Sequence, residues 1–102
     1  MKPTRLESNF QAALIVDLHI RFPTAMVLKN DPSYITGIPD LLILLGDRWA
    51  ALECKRSFNE RFQPNQAYYI DQMNNMSFAA AIYPENREEV LNALSAALRT
   101  AR

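Results

Sequence analysis

Asp40 closes the segment Gly37-Ile38-Pro39-Asp40, and Glu53 and Lys55 bracket a cysteine in Leu52-Glu53-Cys54-Lys55. Between them lie two apolar runs, Leu41 to Leu45 and Trp49 to Leu52, joined across Gly46-Asp47, a Gly-X pair suited to a two-residue hairpin turn. With those two residues as the turn, Leu45 pairs with Arg48, and the same register carried outward sets Asp40 opposite Glu53. Opposed residues on an antiparallel ladder share a face with side chains starting about 5 Å apart, where like charges repel. Lys55, two residues past Glu53, points to that face as well. A divalent cation resolves the repulsion: Mg²⁺ takes oxygen ligands, keeps several waters, and is usually held by one or two carboxylates plus substrate phosphate oxygens. The plainer reading is a surface ion pair at the frayed end of a hairpin. Apolar neighbours on both faces of both strands weigh against it, because these charges are then no solvated face.

The elements that must position this group follow from periodicity. From Thr4 to about Phe22, Leu6, Phe10, Ala13, Leu14 and Leu18 recur at helical spacing, and Thr4-Arg5-Leu6-Glu7 has the form of a capping box. Ala12, Ile15, Val16 and Ile20 make the centre of this helix apolar almost all round, more than one sheet face requires, so a further partner is expected to cover it. Pro23 ends the helix, Ala25 to Leu28 reads as a short strand, and Lys29-Asn30-Asp31-Pro32-Ser33 as a loop. The hairpin comes next, and its apolar strands are expected inside a sheet covered on two sides. Pro64 marks a helix running to about Met76, Phe78 to Tyr83 a strand, and Pro84 a last helix with Val90, Leu91, Leu94, Ala97 and Leu98 on one stripe. The order helix, three strands, helix, strand, helix is that of an α/β domain spanning 1–102, with a mixed sheet of about four strands flanked by helices.

With 102 residues, 49% hydrophobic and 22% charged, disorder, collagen and repeat arrays are excluded, and the chain has room for one core and no second recognition domain. Eleven basic side chains balance eleven acidic ones, so net charge argues neither for nor against a polyanionic partner. The single cysteine, Cys54, forms no internal disulfide, and neither a secretory leader nor an apolar run of membrane-spanning length stands in the sequence. The expectation is a soluble, cytoplasmic protein with no membrane partner.

Over most of the chain these residues resemble the PD-(D/E)xK nuclease superfamily, and the small VRR-NUC branch in particular. The likeness rests on Gly37-Ile38-Pro39-Asp40-Leu41-Leu42, then Leu52-Glu53-Cys54-Lys55, then Gln66 opening a helix, and the closing strand Ala79-Ala80-Ala81-Ile82. Met76-Ser77 stands where that branch commonly has a glycine. The resemblance implies a restriction-endonuclease-like core and hydrolysis of DNA phosphodiesters that depends on Mg²⁺, with Mn²⁺ able to replace it. It implies metal ligation by Asp40, Glu53 and the backbone carbonyl of Cys54, with Lys55 as the catalytic lysine. It also brings in Glu7 as a first-helix metal ligand, against its plainer role in the capping box, and Gln66 as a catalytic glutamine that orients water or a phosphate oxygen. Free-standing proteins of this branch and size are similar in being homodimers that cut branched DNA such as Holliday junctions, which makes that the leading expectation here. Two rivals remain: a sequence-specific restriction or homing type endonuclease, and a non-catalytic nucleic-acid-binding module on the same fold.

The remaining polar and aromatic residues divide more simply. Arg56 and Arg61 follow the Glu53–Lys55 strand in a loop where a cut phosphate backbone would pass, with Glu60 as the one acid between them. Cys54 alternates with Glu53 and Lys55 and is expected on the apolar side of its strand, as a small hydrophobe and no nucleophile. His19, about 120° round the helix from Glu7, is expected to be a partly buried structural residue. Trp49, Tyr68 and Tyr69 are expected in the core.

Overall fold

The computed structural model describes residues 5–99. Helix α1 (Arg5–Arg21) is followed by strands β1 (Met26–Lys29), β2 (Leu41–Leu45) and β3 (Arg48–Cys54), helix α2 (Gln66–Met76), strand β4 (Phe78–Ile82), a 3₁₀ turn (Pro84–Asn86) and helix α3 (Arg87–Arg99). This is the expected order in a small α/β fold, with strand ends displaced by a residue and Pro84 opening a 3₁₀ turn that runs into α3. Thr4, and with it the expected cap on Glu7, lies outside the described residues. Among the described residues no helix is long and apolar enough to cross a membrane.

The four strands form one mixed sheet in the order β1-β2-β3-β4, antiparallel except for the parallel pair β3–β4. The hairpin has the expected register, from Leu45 opposite Arg48 to Leu41 opposite Leu52. Gly46 takes φ 62° and Asp47 does not follow it into positive φ, the pattern of a II′ turn with glycine at its first central position. A parallel pair cannot be closed by a tight turn and needs a crossover. Helix α2 is that crossover, so its first residues return to the carboxyl end of β3. Ser77 ends α2 at a negative φ, with its N–H on the carbonyl of Met73 at 2.9 Å and its hydroxyl on the carbonyl of Trp49, and so no glycine is required there.

One face of the sheet is fully covered. Leu41, Ile43, Ala50, Leu52, Cys54 and Ile82 are buried there with Leu14, Leu18 and Phe22 of the α1 segment and Val90, Leu91, Leu94 and Leu98 of α3. Burying each such large side chain contributes roughly 1.5–3 kcal/mol before conformational entropy is set against it. The expected cover on the second face is only partial. Helix α2 lies over β3 and β4, while Leu42 and Leu44 stay half-buried and Met26 and Leu28 on β1 are exposed. A single crossover helix about 10 Å wide covers roughly two strands of a sheet whose strands lie about 4.8 Å apart, here β3 and β4.

On α1 the core stripe is Leu14 and Leu18, with Phe10 and Ile15 packed beside it. Ala13, expected to face the core, is exposed, as is His19, expected to be partly buried; both lie outside the arc that a single sheet face can cover. Ala12, Val16 and Ile20 are exposed as the all-round apolar pattern anticipated, but Ile15 belongs to the core. Of the three aromatics expected inside, Trp49 and Tyr69 are half-buried and Tyr68 is exposed, meeting Tyr69 edge-on with ring centroids 5.2 Å apart.

Candidate active site

The carboxyl end of β3, the amino end of β2, the start of α1 and the start of α2 converge on a cleft of about 580 Å³ lined by Glu7, Gln11, Asp40, Glu53, Arg56, Glu60, Arg61 and Gln66, with the Pro32–Ile38 loop as its far wall. That loop packs on the Pro64-Asn65 segment that leads into α2. Gly37 has φ 92°, and a Cβ there would lie 2.7 Å from the carbonyl oxygen of Pro64 and 2.7 Å from Cβ of Asn65, so only glycine allows this approach.

Proline explains how Asp40 comes to its place. In the alternation of the hairpin ladder the hydrogen-bonded pair beyond Leu41–Leu52 is Pro39–Cys54, and Pro39 has no N–H to donate. The ladder therefore stops, and the carbonyl of Cys54 has no donor from β2. The Cys54 N–H donates instead to Oδ2 of Asp40 at 2.9 Å, and the Pro39 carbonyl accepts from Nδ2 of Asn30 at 2.8 Å. Asp40 is thereby held beside the β3 end, close enough for its charge to act on Glu53.

Glu53 is only 3% exposed. Its Oε2 accepts from Nε2 of Gln66 at 2.7 Å, while its Oε1 is buried with no hydrogen-bond partner. A buried oxygen of this kind ordinarily finds a donor or a cation. Lys55 is 2% exposed and donates from Nζ to Oε1 of Gln66 at 2.5 Å and to the Arg61 carbonyl at 3.1 Å. Its ammonium stands 3.8 Å from Oε2 of Glu60 and 5.1 Å from the centroid of the Phe62 ring. The Gln66 amide thus binds the acid on one side and the lysine on the other, and Oε1 also accepts the Gln63 N–H at 2.6 Å. It is no bare helix-start residue. Lys55 itself lies behind Gln66 and is not part of the cleft wall.

The acids are hard to ionise together. Burial, and then the neighbouring charge of Asp40, push Glu53 up to about 8. Glu7 is raised to about 7 by burial and by its hydrogen bond and charge contact with Glu60, and burial raises Asp40 against the opposing pull of the Cys54 N–H and Lys55. Glu60 is the member held below the ordinary range: the Arg56 N–H at 2.8 Å and the proton shared with Glu7 outweigh its burial. The Cys54 thiol is buried on the core side as expected, and burial drives it well above its usual value, which disfavours the thiolate.

Asp40, Glu53, Lys55 and Gln66 are therefore brought together, and Glu7, Arg56 and Arg61 border the same cleft. Glu60 and Gln11 are the participants that sequence reading did not single out. Glu60 stands four residues after Arg56 and pairs with it at 3.6 Å. Gln11 lies one helical turn after Glu7 and lines the cleft with it. Among the described residues no three carboxylate, thiol or imidazole side chains enclose a metal ion by themselves. The donor set fits a hard cation in a more open way: two carboxylates, one with an unpartnered buried oxygen, and a backbone carbonyl whose ladder donor is missing, with water or substrate oxygens to complete the shell. Compared with known proteins, the chain matches no family model, no curated protein and no solved structure.

Proposed function

We propose that the protein is an Mg²⁺-dependent endodeoxyribonuclease that hydrolyses phosphodiester bonds in branched DNA, with Mn²⁺ able to replace Mg²⁺. The observation that carries this reading is Glu53: a buried carboxylate beside a second carboxylate, with one oxygen unpartnered, at the floor of an open cleft. Asp40, Glu53 and the Cys54 carbonyl would hold the cation, with Glu7 at the edge of the site. When bound there, a divalent cation lowers the pKa of water and offsets negative charge on phosphoryl oxygens. Gln66 fixes Glu53 and Lys55 relative to each other, and Lys55 offsets negative charge growing on the scissile phosphate from its position behind Gln66, in surroundings where a buried charge acts strongly. Arg56 and Arg61 hold flanking phosphates at the rim.

The test is cleavage of four-way junction, flap and linear duplex DNA with Mg²⁺ and with chelator. Branched substrates are expected to be cut in Mg²⁺ alone. Sequence-dependent cutting of linear duplex would favour a restriction-type enzyme, and binding without cutting a non-catalytic module.

Matched nicks on a four-way junction require two sites, and the exposed stripe Ala12, Val16, Ile20 on α1 offers a self-complementary face for a second copy of the chain. Sedimentation at micromolar concentration is expected to give twice the chain mass, and Ile20→Glu to shift it toward monomer. A wild-type monomer would exclude paired cutting. Ile15 is a poor probe, because it packs on the core.

A further inference from the structure

The loop that carries Arg56 and Arg61 also carries two phenylalanines that the core does not take up. Phe58 is 63% exposed and Phe62 49%. Their situations differ. Phe62 has its ring 5.1 Å from the Lys55 ammonium and so covers that charge. Phe58 lies at the tip of a turn closed by the Glu60 N–H on the Ser57 carbonyl at 3.2 Å and braced by the Asn59 N–H on Oγ of Ser57 at 3.3 Å. The Arg56 N–H on Glu60 at 2.8 Å and the Lys55 ammonium on the Arg61 carbonyl at 3.1 Å tie both ends of the turn to the site. An apolar ring is thus carried on a braced turn whose neighbours Arg56, Asn59 and Arg61 line the cleft.

An exposed ring on a turn whose flanking arginines line a cleft is a combination suited to single-stranded nucleic acid: the cations take phosphates and the ring takes a base face, whatever the base. An intact duplex offers no such face, since its bases are stacked on each other. We infer that Phe58 is a specificity-determining residue that stacks on an unpaired nucleobase next to the scissile phosphate, while Arg56 and Arg61 bind the phosphates on either side. The inference rests on the nuclease reading of the cleft and deepens it. Selection of branched DNA then lies in one ring's need for an unstacked base at the junction, with no sequence read.

The decisive probe is an oligonucleotide with 2-aminopurine at the nucleotide beside the branch point, whose fluorescence falls when the base stacks. Binding is followed without divalent metal and again in Ca²⁺, so the result does not depend on cleavage. Wild-type protein is expected to quench the probe in a flap or junction and not in continuous duplex. Phe58→Ala is expected to abolish the quench and weaken binding of branched DNA about 10-fold, within the range of losses seen when base-stacking aromatics are removed. Phe58→Trp should restore both, which a merely structural role would not allow. Where Mg²⁺-dependent cleavage is present, Phe58→Ala should lower cutting of branched DNA by a similar factor and leave residual cutting of linear duplex unchanged. Equal quenching by wild type and Phe58→Ala, or an equal loss on branched and linear DNA, would overturn the inference. Phe58-dependent quenching without any cleavage would support the stacking role and count against the nuclease reading.

Discussion

Glu53→Gln and Asp40→Asn are each expected to lower Mg²⁺-dependent cleavage of branched DNA by at least about a thousandfold, equivalent to roughly 4 kcal/mol of barrier, while leaving the fold intact. Each replacement keeps the shape and an acceptor oxygen: the amide introduced at position 53 still accepts from Gln66, and the one at position 40 still accepts the Cys54 N–H. What is lost is the charge needed by a cation. Stability without metal is expected to move the other way. Because Glu53 is raised to about 8 and Glu7 to about 7 from an ordinary 4.5, the folded chain holds protons that the unfolded chain gives up at lower pH. The stability linked to them is full below about pH 4.5 and is lost as pH rises through 7 and 8. Glu53→Gln removes most of that loss, so at pH 8 the metal-free variant should be more stable than wild type by about 2 kcal/mol, and at pH 5 nearly equal to it. Thermal melts over this range in chelator, beside a cleavage time course, read both effects. Unfolded variants whose residual protein still cuts DNA would mean that the acids are structural.

Lys55→Ala is expected to lower turnover by about a hundredfold or more and to keep binding of branched DNA in Ca²⁺, a hard cation that occupies oxygen sites. The ammonium donates to Gln66 and to the Arg61 carbonyl and lies within 3.8 Å of Glu60, so its removal leaves Glu53 and Glu60 with less compensation. A stability loss of about 2 kcal/mol should accompany the lost turnover, and the assay belongs well below the melting temperature. Single-turnover cleavage and equilibrium binding, measured on one substrate, separate the two roles. Cleavage near the wild-type rate would make Lys55 only a charge partner for the acids around it.

Much of this arrangement is legible in the sequence. The Gly46-Asp47 turn fixes the hairpin register from Leu45–Arg48 to Leu41–Leu52, one residue short of the Asp40 and Glu53 positions, and period-two alternation divides Glu53 and Lys55 from Cys54. These are local rules, with little that tertiary packing can override. What stays hidden depends on contacts distant in sequence. Nothing in the β2 segment foretells that Asp40 replaces the missing Pro39–Cys54 ladder bond, and nothing in α2 foretells that one amide joins Glu53 to Lys55. Glu60 reads as a solvated loop acid because its partner Glu7 lies 53 positions earlier in the chain. Helical spacing places Ala13 on the core face and residue type places Tyr68 inside and His19 partly so, whereas the geometry of a helix on a sheet decides such cases by a few tens of degrees. The same narrowness puts Ile15 in the core and leaves Val16 and Ile20 in water.

Calorimetric titration of the metal-free protein with Mn²⁺ at pH 7 tests most directly the proposal that Asp40 and Glu53 hold a divalent cation. Run in buffers of different ionisation enthalpy, it also counts protons. Since Glu53 is raised to about 8, it carries a proton at that pH and must release it to take the ion. Saturable binding with release of about one proton is predicted for the wild type, and loss of both binding and proton release for Glu53→Gln. No saturable binding, or wild-type affinity and proton count in Glu53→Gln, would contradict the claim.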